Sequence, residues 1–371
     1  MLLHALNIIL LGGMLFLHQN GAIPSSLDWT MLIVLSFSLS YLFNAIAIRL
    51  GLLFNIVDDP DNERKIHKLP TPLTGGVAIV AAFMTTILLN FHFSWNMKGI
   101  LIGSGIVFFA GFIDDVRDLS AKIRLGLQLA ASAVVILFGV RISFIPDWLG
   151  GFYTEAIITT IWLVGITNSM NFLDGMDGLA SGISIIVASF FAVFAMRTGQ
   201  PYLAFLCLAI IGSCLGFFLH NFRPRKNAKI FLGDGGSNFL GFFLASVAIM
   251  GDWATNNPFD LIAPAVIMGV LVFDMTLTTI MRIRTGKVKS ASEWIHFTGK
   301  DHFHHRLTDM GFSPKGAVIM IFLTCIVSGF SGLVLRTAEG LDLIFTIFQS
   351  SCFFILIAFL MIYKKNAPKD Q

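Results

Sequence analysis

Long apolar stretches alternate with short polar breaks along most of this chain of 371 residues. A membrane-crossing helix needs about 20 apolar residues, so each stretch of roughly that length predicts one span. The polar breaks are too short to fold as a separate domain. We therefore predict an all-α polytopic membrane helix bundle with about 11 transmembrane helices, near residues 30–53, 76–94, 98–113, 123–141, 153–169, 179–196, 202–220, 237–251, 260–283, 315–336 and 342–363.

Composition agrees with a membrane protein. Charged residues make up 13% of the chain and hydrophobic residues 56%, whereas about 25% of a soluble domain is charged. All four cysteines fall within apolar stretches, so we expect packed thiols and no disulfide framework. We divide the chain into residues 1–29, an apolar segment that forms either a twelfth span or an interfacial helix, residues 30–363, a single multi-span domain, and residues 364–371, a basic tail.

The basic residues predict which side of the bundle faces the cytoplasm. Loops between consecutive spans alternate sides, and 21 of the 25 Lys and Arg residues then fall on one side. Because basic residues concentrate in cytoplasmic loops, we assign that side and the C-terminal tail to the cytoplasm. The opposite side carries only Lys98, Arg141, Arg197 and Arg336.

Four polar breaks on the predicted cytoplasmic side carry aspartates or histidines. Carboxylates at the edge of a membrane are costly to hold unless they bind a cation, a proton or a metal–phosphate complex. Because all four breaks reach the same side, we predict that they meet in one active site at the cytoplasmic face. The breaks are Asp114-Asp115, the segments 171–178 and 233–237, and the segment 302–306.

Asp114 and Asp115 close one predicted span and are followed by Lys122 and Arg124. Adjacent carboxylates repel each other unless a cation relieves them. The alternative is a solvated helix end with weak surface ion pairs. Lys122 and Arg124 also suit the binding of an anionic headgroup at the membrane surface.

Asn168, Asn171, Asp174 and Asp177 recur at a spacing of three. Residues three apart share one face of a helix, so this spacing predicts a polar stripe. Asparagine offers both donors and acceptors, which suits the recognition of a nucleobase or a ribose. The alternative is a polar loop with Asx turns.

The glycine-rich segment 233–237 opens the next span and predicts a helix N-terminus that cradles a phosphate. It is not a P-loop, because no Gly-Lys-Ser/Thr follows. Within such a cradle, Asp234 is best explained as a metal ligand that brings the phosphate with it. The alternative, in which Ser237 is an ordinary N-cap, leaves Asp234 without a role.

The segment 302–306 holds three of the nine histidines. A zinc site would need a second Cys/His cluster, so we expect these imidazoles to bind phosphates or to tune the carboxylates. The alternative is a pH-sensitive surface cluster. Asp274, inside a predicted span, is expected to face the bundle interior and to pair with a basic side chain.

Taken in order, these motifs resemble the polyprenyl-phosphate N-acetylhexosamine-1-phosphate transferases. That family includes undecaprenyl-phosphate GlcNAc-1-phosphate transferases and phospho-MurNAc-pentapeptide transferase. Phe303 interrupts the histidines and Arg306 follows them, which is closer to the GlcNAc branch than to the pentapeptide branch. The resemblance runs from about residue 50 to 336. The motifs that carry it are Lys65-x-His67, Pro72 with Gly75-Gly76, Asp114-Asp115, Asn171-x-x-Asp174-Gly-x-Asp177-Gly, Gly233-Asp234-x-Gly-Ser237 and His302-x-His304-His305.

The resemblance implies that sugar 1-phosphate is transferred from a UDP-N-acetylhexosamine to undecaprenyl phosphate, with release of UMP. It further implies Mg²⁺ as cofactor, with Mn²⁺ as a candidate substitute. The setting would be the bacterial inner membrane, at the first membrane step of cell-wall or O-antigen biogenesis. Partners are the two substrates and the bilayer. A second copy of the chain is a candidate partner, and no nucleic acid is expected.

The resemblance also assigns roles by motif. Asp114, Asp115, Asp174 and Asp177 would be catalytic, and Asp234 and Asp115 would hold the metal. Whether the reaction takes one step or passes through an aspartate nucleophile stays open. The residues expected to bind substrate are Lys65, His67, Lys122, Arg124, Asn171, His302, His304, His305 and Arg306.

Two other functions fit part of the pattern. An ion-coupled transporter also places carboxylates among membrane helices, but near the midplane of related halves. A CDP-alcohol phosphatidyltransferase is a multi-span metal enzyme with Asp-Gly motifs. The segment 174–180 lacks the arginine expected of that family.

Overall fold

The computed structural model describes residues 28–58, 70–89, 94–223, 226–254, 261–290, 293–294, 297, 299 and 301–366. These residues form thirteen α-helices, two short 3₁₀ helices and a two-stranded antiparallel sheet, which confirms the predicted all-α bundle. The helices and strands are α1 (Asp28–Leu53), β1 (Val57–Asp58), β2 (Thr71–Pro72), α2 (Gly75–Leu89), α3 (Trp95–Val116), α4 (Ala121–Leu137), α5 (Gly151–Leu173), α6 (Leu179–Arg197), α7 (Pro201–Asn221), α8 (Gly233–Met250), α9 (Ile262–Ile267), α10 (Gly269–Arg284), α11 (Phe303–Asp309), α12 (Pro314–Leu335) and α13 (Gly340–Asn366).

Helices α1, α3, α5, α6, α7, α12 and α13 contain a segment that is long and apolar enough to cross a membrane, seven in all among the described residues. Helix α2 is apolar but has only 15 residues. Each predicted span coincides with at least one helix, whereas the number of 11 crossings stays a prediction. Most of the N-terminal segment 1–29 and most of the tail 364–371 lie outside the described residues.

The predicted span over residues 260–283 is interrupted. It consists of two helices, α9 and α10, that meet at Met268. The carbonyl of Val266 accepts a hydrogen bond from the Ser328 hydroxyl of α12. A hydroxyl that donates to a helix carbonyl in this way competes with the backbone N–H that would otherwise bind it, and so interrupts the series of hydrogen bonds along the helix. Helix α12 also approaches closely here, since a Cβ on Gly269 would lie 2.4 Å from Ser328 Oγ.

Helix α8 is the centre of the bundle, and all its residues except Asp234 and Met250 are buried. Its neighbours approach its backbone directly. A Cβ on Gly76 of α2 would lie 2.5 Å from Gly236 Cα, and a Cβ on Gly111 of α3 would lie 2.5 Å from the Asp234 carbonyl oxygen. Small residues allow such close packing of membrane helices. The backbone of α8 is therefore fixed at the turn that carries Asp234.

The acidic motifs lie at the same end of the bundle because α3 and α5 end there and α8 begins there. Asp114 and Asp115 are in the last turn of α3, and Asp174 follows the end of α5. Asp234 lies in the first turn of α8. The connection between α10 and α11 returns to this end with His302.

We expect Gly111→Ala to lower the free energy of unfolding by about 1–3 kcal/mol, because the new methyl group would overlap the backbone of α8. Gly105→Ala in the same helix is the matched control, since a Cβ there meets nothing within 4 Å. In a helix interior, alanine is favoured over glycine, so this control should be neutral or slightly stabilising. Thermal unfolding of the purified protein in detergent measures both. Equal melting temperatures for the two variants would contradict the close crossing of α3 and α8.

Candidate active site

Asp115 occupies the N-terminus of helix α8. Its Oδ1 accepts a hydrogen bond from the Asp234 amide at 2.8 Å, and its Oδ2 accepts one from the Gly235 amide at 3.0 Å. The first amides of a helix have no partner within the helix and carry a partial positive charge, so they bind anions. The sequence predicted a phosphate at this position. The structure places the chain's own carboxylate there instead.

Asp234 is accessible to a ligand, with 39% of its side chain exposed. Its Oδ1 accepts a hydrogen bond from Asn171 Nδ2 at 3.0 Å, and its Oδ2 lies 3.6 Å from Arg124 Nη1. Asn171 Nδ2 also lies 3.0 Å from the Ser237 hydroxyl. Ser237 is not an N-cap, because its hydroxyl donates to the Gly233 carbonyl at 3.1 Å. One oxygen of Asp234 is thus held by protein, and the other faces Arg124.

Asp114 is bound by two groups from the segment that follows it. Its Oδ2 forms an ion pair with Arg124 Nη1 at 2.7 Å, and its Oδ1 accepts a hydrogen bond from the Leu119 amide at 2.6 Å. Arg124 therefore bridges Asp114 and Asp234. Lys122 is exposed and lies one residue beyond Ala121, the first residue of α4. Asp114 is thus paired with a cationic side chain of the chain itself, which is compatible with both interpretations of the acidic pair.

The predicted helical stripe of asparagines and aspartates is only half right. Helix α5 ends at Leu173, so Asn168 and Asn171 share its face, whereas Asp174 and Asp177 lie in the turn that follows. Gly178 in that turn has a φ of +79°, a conformation that favours glycine. For Asp174 and Asp177, the alternative interpretation as a polar turn is therefore the right one.

The Asp174 carboxyl is held close to other carboxylates. Burial raises its pKa well above the ordinary value, and the negative charges of Asp234, Asp115 and Asp177 raise it further. Four aspartates from three polar breaks are thus close enough to interact electrostatically. This confirms that the motifs at residues 114–115, 171–178 and 233–237 meet.

A buried polar network attaches the histidine segment to helix α10. Asp274 accepts hydrogen bonds from the Phe303 amide at 2.6 Å and lies 2.7 Å from His302 Nδ1. Arg282 binds both oxygens of Asp301, at 2.7 and 3.0 Å, and contacts His302 Nε2 at 3.1 Å. Burial by itself would raise the pKa of Asp301, but the hydrogen bonds and charge of Arg282 outweigh burial and hold the pKa below its ordinary value. Asp274 does pair with a basic side chain, as expected.

His302 and Arg306 are engaged by protein groups. Besides its contacts with Asp274 and Arg282, the His302 ring stacks on Phe172 at 4.6 Å. Arg306 is buried, and its Nε donates to the Asp301 carbonyl at 2.6 Å. These two residues hold the segment in place, and their contact with substrate stays a prediction.

His304 differs from its neighbours, because it is 1% exposed and neither ring nitrogen has a hydrogen-bond partner. A Cβ on Gly175 would lie 2.6 Å from its Nε2, so the ring lies directly over that turn. Burial lowers the pKa of His304 to about 3, with His305 and His302 contributing. Most buried polar groups in proteins are hydrogen-bonded, so an unpartnered one needs an explanation. His304 is therefore a neutral imidazole with donor and acceptor capacity to spare.

A cavity of about 90 Å³ adjoins the carboxylates and reaches between α3, α4 and α5. Arg124 and Asn171 lie on its wall at the acidic end, and Trp294 and Phe297 close it from the segment after α10. Phe297 is held under the Arg282 guanidinium at 4.7 Å. The cavity thus has Arg124 and Asn171, which contact Asp234, on one wall and the apolar side chains of Val107, Leu125 and Val164 on others.

Several residues of this end were not predicted from the sequence. Arg282 and Asp301 carry the buried network, and Gln128 pairs with Asn168 at 2.9 Å on the cavity wall. Gln128 could have been found, because an amide inside a predicted span needs a partner. Lys65 and His67 lie outside the described residues. No group of three His, Cys, Asp or Glu side chains among the described residues is arranged to hold a metal ion by itself.

The chain is similar to known proteins over most of its length. A family model described as glycosyl transferase family 4 matches residues 97–252. The chain is 35% identical over 324 residues to a Bacillus subtilis protein named probable undecaprenyl-phosphate N-acetylglucosaminyl 1-phosphate transferase, covering 84% of this chain and 85% of that protein. It is 33% identical to a Mycolicibacterium smegmatis decaprenyl-phosphate N-acetylglucosaminephosphotransferase, covering 74% of each. It is 27% identical to the Escherichia coli K12 undecaprenyl-phosphate alpha-N-acetylglucosaminyl 1-phosphate transferase, covering 77% of this chain and 78% of that protein.

We expect Asp174→Asn to stabilise the protein in the absence of divalent cations. The pKa of Asp174 is raised in the fold above the 3.8 of an ordinary aspartate, so its ionisation destabilises the folded state increasingly as pH rises above that value. The gain in melting temperature should therefore be larger at pH 8 than at pH 5. Asp342→Asn, an exposed aspartate in the first turn of α13, is the control. The same gain at both pH values would show that Asp174 is not destabilised by its neighbours.

Proposed function

The chain belongs to the polyprenyl-phosphate N-acetylhexosamine-1-phosphate transferases, and we propose that it transfers N-acetylglucosamine 1-phosphate from UDP-GlcNAc to undecaprenyl phosphate. The products would be a lipid-diphosphate-linked sugar and UMP. The observation that carries the proposal is the cluster of aspartates at the N-terminus of α8, with Arg124 beside it. The similarity to the Bacillus subtilis relative over 84% of this chain supports the choice of sugar and lipid.

The main difficulty of this reaction is electrostatic. A phosphate monoester has a second pKa near 6, so the lipid phosphate is already largely dianionic at neutral pH and needs no strong base. It must approach a diphosphate that is also negatively charged. Catalysis then depends on charge neutralisation and positioning. Arg124 provides a fixed positive charge next to Asp114 and Asp234, and Lys122 provides a second cation nearby in the sequence.

We infer that Asp234 holds a Mg²⁺ ion together with the substrate phosphates, with Mn²⁺ as a substitute. Mg²⁺ is usually bound by one or two carboxylates, by phosphates and by water, without an all-protein cage. The half-exposed Asp234 fits this use, and Asn171 orients its other oxygen. Both oxygens of Asp115 accept hydrogen bonds from amides, so Asp115 chiefly positions Asp234 and uses its remaining acceptor capacity toward the metal. The bound ion supplies charge neutralisation at the phosphates.

The proposed binding of the UDP-sugar, the donor substrate, is supported by His304. Its unpartnered ring nitrogens lie over the turn that carries Asp174 and Asp177. A neutral imidazole donates one hydrogen bond and accepts another, which suits a diphosphate oxygen and a neighbouring hydroxyl. His305 follows it on the same helix, while His302 and Arg306 keep that helix in place.

The proposed binding of the lipid phosphate, the acceptor substrate, is supported by the cavity of about 90 Å³. Arg124 and Asn171 at its acidic end suit a phosphate, and the apolar space between the helices suits the first carbons of a prenyl chain. The setting we propose is the bacterial cytoplasmic membrane, with the site facing the cytoplasm because the basic residues concentrate at that end. The product would enter cell-wall or O-antigen biogenesis.

The other two functions are less well supported. The aspartates lie at helix ends and in turns, whereas a coupled transporter needs charged groups near the midplane. The relatives carry names of sugar-phosphate transferases, which does not favour a CDP-alcohol enzyme.

The proposal predicts that the detergent-purified protein releases UMP from UDP-GlcNAc only when undecaprenyl phosphate and Mg²⁺ are both present. Asp234→Asn should lower this rate by at least about 100-fold, because the variant loses the charge that holds the metal at the phosphates. Asp342→Asn, far from the site, should keep the rate of the unmodified protein. Lipid-dependent release that survives Asp234→Asn would keep the reaction but refute the role of Asp234. Absence of release with any UDP-N-acetyl sugar would refute the proposed function.

The metal assignment has a second test that needs no turnover. Mg²⁺ together with UDP-GlcNAc should raise the melting temperature of the protein, because a ligand that binds only the folded state stabilises it. The increase should be absent in Asp234→Asn and present in Asp342→Asn. Equal increases in both variants would place the metal elsewhere.

A further inference from the structure

A buried pair of amides joins helices α4 and α5 on the wall of the cavity of about 90 Å³. Gln128 Oε1 accepts a hydrogen bond from Asn168 Nδ2 at 2.9 Å, and Gln128 Nε2 donates to Asn168 Oδ1 at 3.4 Å. Asn168 Nδ2 also donates to the Val164 carbonyl at 2.8 Å, which fixes the asparagine to its own helix. The two amides satisfy each other, so the pair is a link between two helices.

Gln128 is the first buried residue of α4. The helix begins at Ala121, and none of residues 121–127 is buried. The connection that follows α4 is attached to α5 at the opposite end of the bundle, where the Ile142 amide donates to the Thr159 hydroxyl at 3.0 Å. The amide pair supplies a corresponding link nearer the acidic end, and so fixes the start of α4 relative to α5.

Two residues of the proposed active site lie one helical turn from this pair. Arg124 precedes Gln128 by four residues along α4, and Asn171 follows Asn168 by three along α5. Residues at these spacings share one face of a helix, and all four line the cavity. Asn171 holds one oxygen of Asp234 at 3.0 Å. The spacing of α4 and α5 at the amide pair therefore sets how far Arg124 lies from Asp234.

Arg124 can bind a further anion while it stays paired with Asp114. Its Nη1 makes both contacts with the aspartates, at 2.7 Å to Asp114 and 3.6 Å to Asp234. A guanidinium has five N–H donors, and 38% of this side chain is exposed. A partly exposed ion pair is weak and does not by itself hold a long side chain in one position. The position of the α4 backbone then decides where the remaining donors lie.

We propose that Gln128, through its pairing with Asn168, positions Arg124 for the phosphate of the polyprenyl-phosphate substrate. This inference rests on the function proposed above, and it gives Gln128 a positioning role without contact with the reacting atoms. Breaking the pair would leave the first two turns of α4 without a buried anchor. Arg124 would then meet the lipid phosphate in fewer of its conformations, whereas Asp234, on another helix, would keep its position.

A purely structural role of the pair is the alternative. Hydrogen bonds between amides stabilise membrane helix bundles wherever they occur. That role predicts a lower melting temperature when the pair is broken, with the same effect on both substrates. A positioning role predicts weaker use of the lipid phosphate alone. The KM values separate the two roles, because a KM does not depend on how much of the protein is folded, whereas the maximal rate does.

Gln128→Asn shortens one member of the pair by a methylene group. In the UMP-release assay, this variant should raise the KM for undecaprenyl phosphate about tenfold, because the phosphate loses a well-placed charged hydrogen bond. The KM for UDP-GlcNAc should change by less than about twofold. Adding Asn168→Gln restores the summed length of the pair, and should return the lipid KM to within about threefold of that of the unmodified protein.

Ser132→Ala is the matched control for a change in α4. It removes a buried hydroxyl that donates to the Gln128 carbonyl at 2.8 Å, one turn further along the helix, and it should change neither KM. A lipid KM unchanged in Gln128→Asn, or an equal rise in both KM values, would overturn the positioning role. An exchange of the two amides that restores nothing would overturn the route through Asn168.

A second measurement needs no turnover and separates this inference from the proposed function. Undecaprenyl phosphate should raise the melting temperature less in Gln128→Asn than in the unmodified protein, while the increase with Mg²⁺ and UDP-GlcNAc should be equal in the two. Equal protection by the lipid phosphate, with UMP release intact, would overturn the role of Gln128 and leave the function standing. Absence of UMP release by the unmodified protein would refute the function itself.

Discussion

The Asp115 carboxylate on the first amides of α8 is the interaction on which the rest of the site depends. It fixes the end of α3 to the start of α8 at 2.8 and 3.0 Å, and Asp234 follows directly from that turn. Asn171 then orients Asp234, and Arg124 links it to Asp114. Because α8 is buried along nearly its whole length, this turn cannot shift to adapt. Gly111 and Gly76 are required for the same reason, since they let α3 and α2 lie against it.

The two polar clusters at this end use the same residue types in opposite ways. Around Asp274 and Asp301, buried carboxylates are matched by Arg282 and by His302, and every partner comes from the chain. Around Asp234, the aspartates outnumber the single bridging arginine, and the raised pKa of Asp174 shows the imbalance. A balanced buried network holds a segment in one place. An unbalanced and partly exposed network would be stabilised by a cation from solution, in keeping with the metal proposed at Asp234.

The helix positions could be predicted from the lengths of the apolar stretches, because a stretch of about 20 apolar residues can cross a membrane only as a helix or as part of a closed barrel. The aspartates could be grouped from topology alone, since the alternation of spans places them at one end. The break at Met268 could not be predicted, because it depends on Ser328 from a helix far along the chain. The N-terminus of α8 was misread for a similar reason. A helix start that binds an anion has the same sequence whether the anion is a phosphate or Asp115.

The histidine segment shows a further limit of motif reading. His302 and His304 are two residues apart, yet Asp274 and Arg282 engage the first while the second has no hydrogen-bond partner. Neither partner is near them in sequence, so the motif alone could not separate the two roles.

An open metal site with one accessible carboxylate suits the proposed reaction better than a closed cage. A set of three or four protein ligands would bind Mg²⁺ without substrate and would leave few coordination positions for phosphates. With Asp234 as the main protein ligand, a bound metal ion would be held jointly by this carboxylate and by the substrate phosphates, whose charge it would neutralise. The rigid turn formed by Asp115 and α8 would keep Asp234 in place for that purpose.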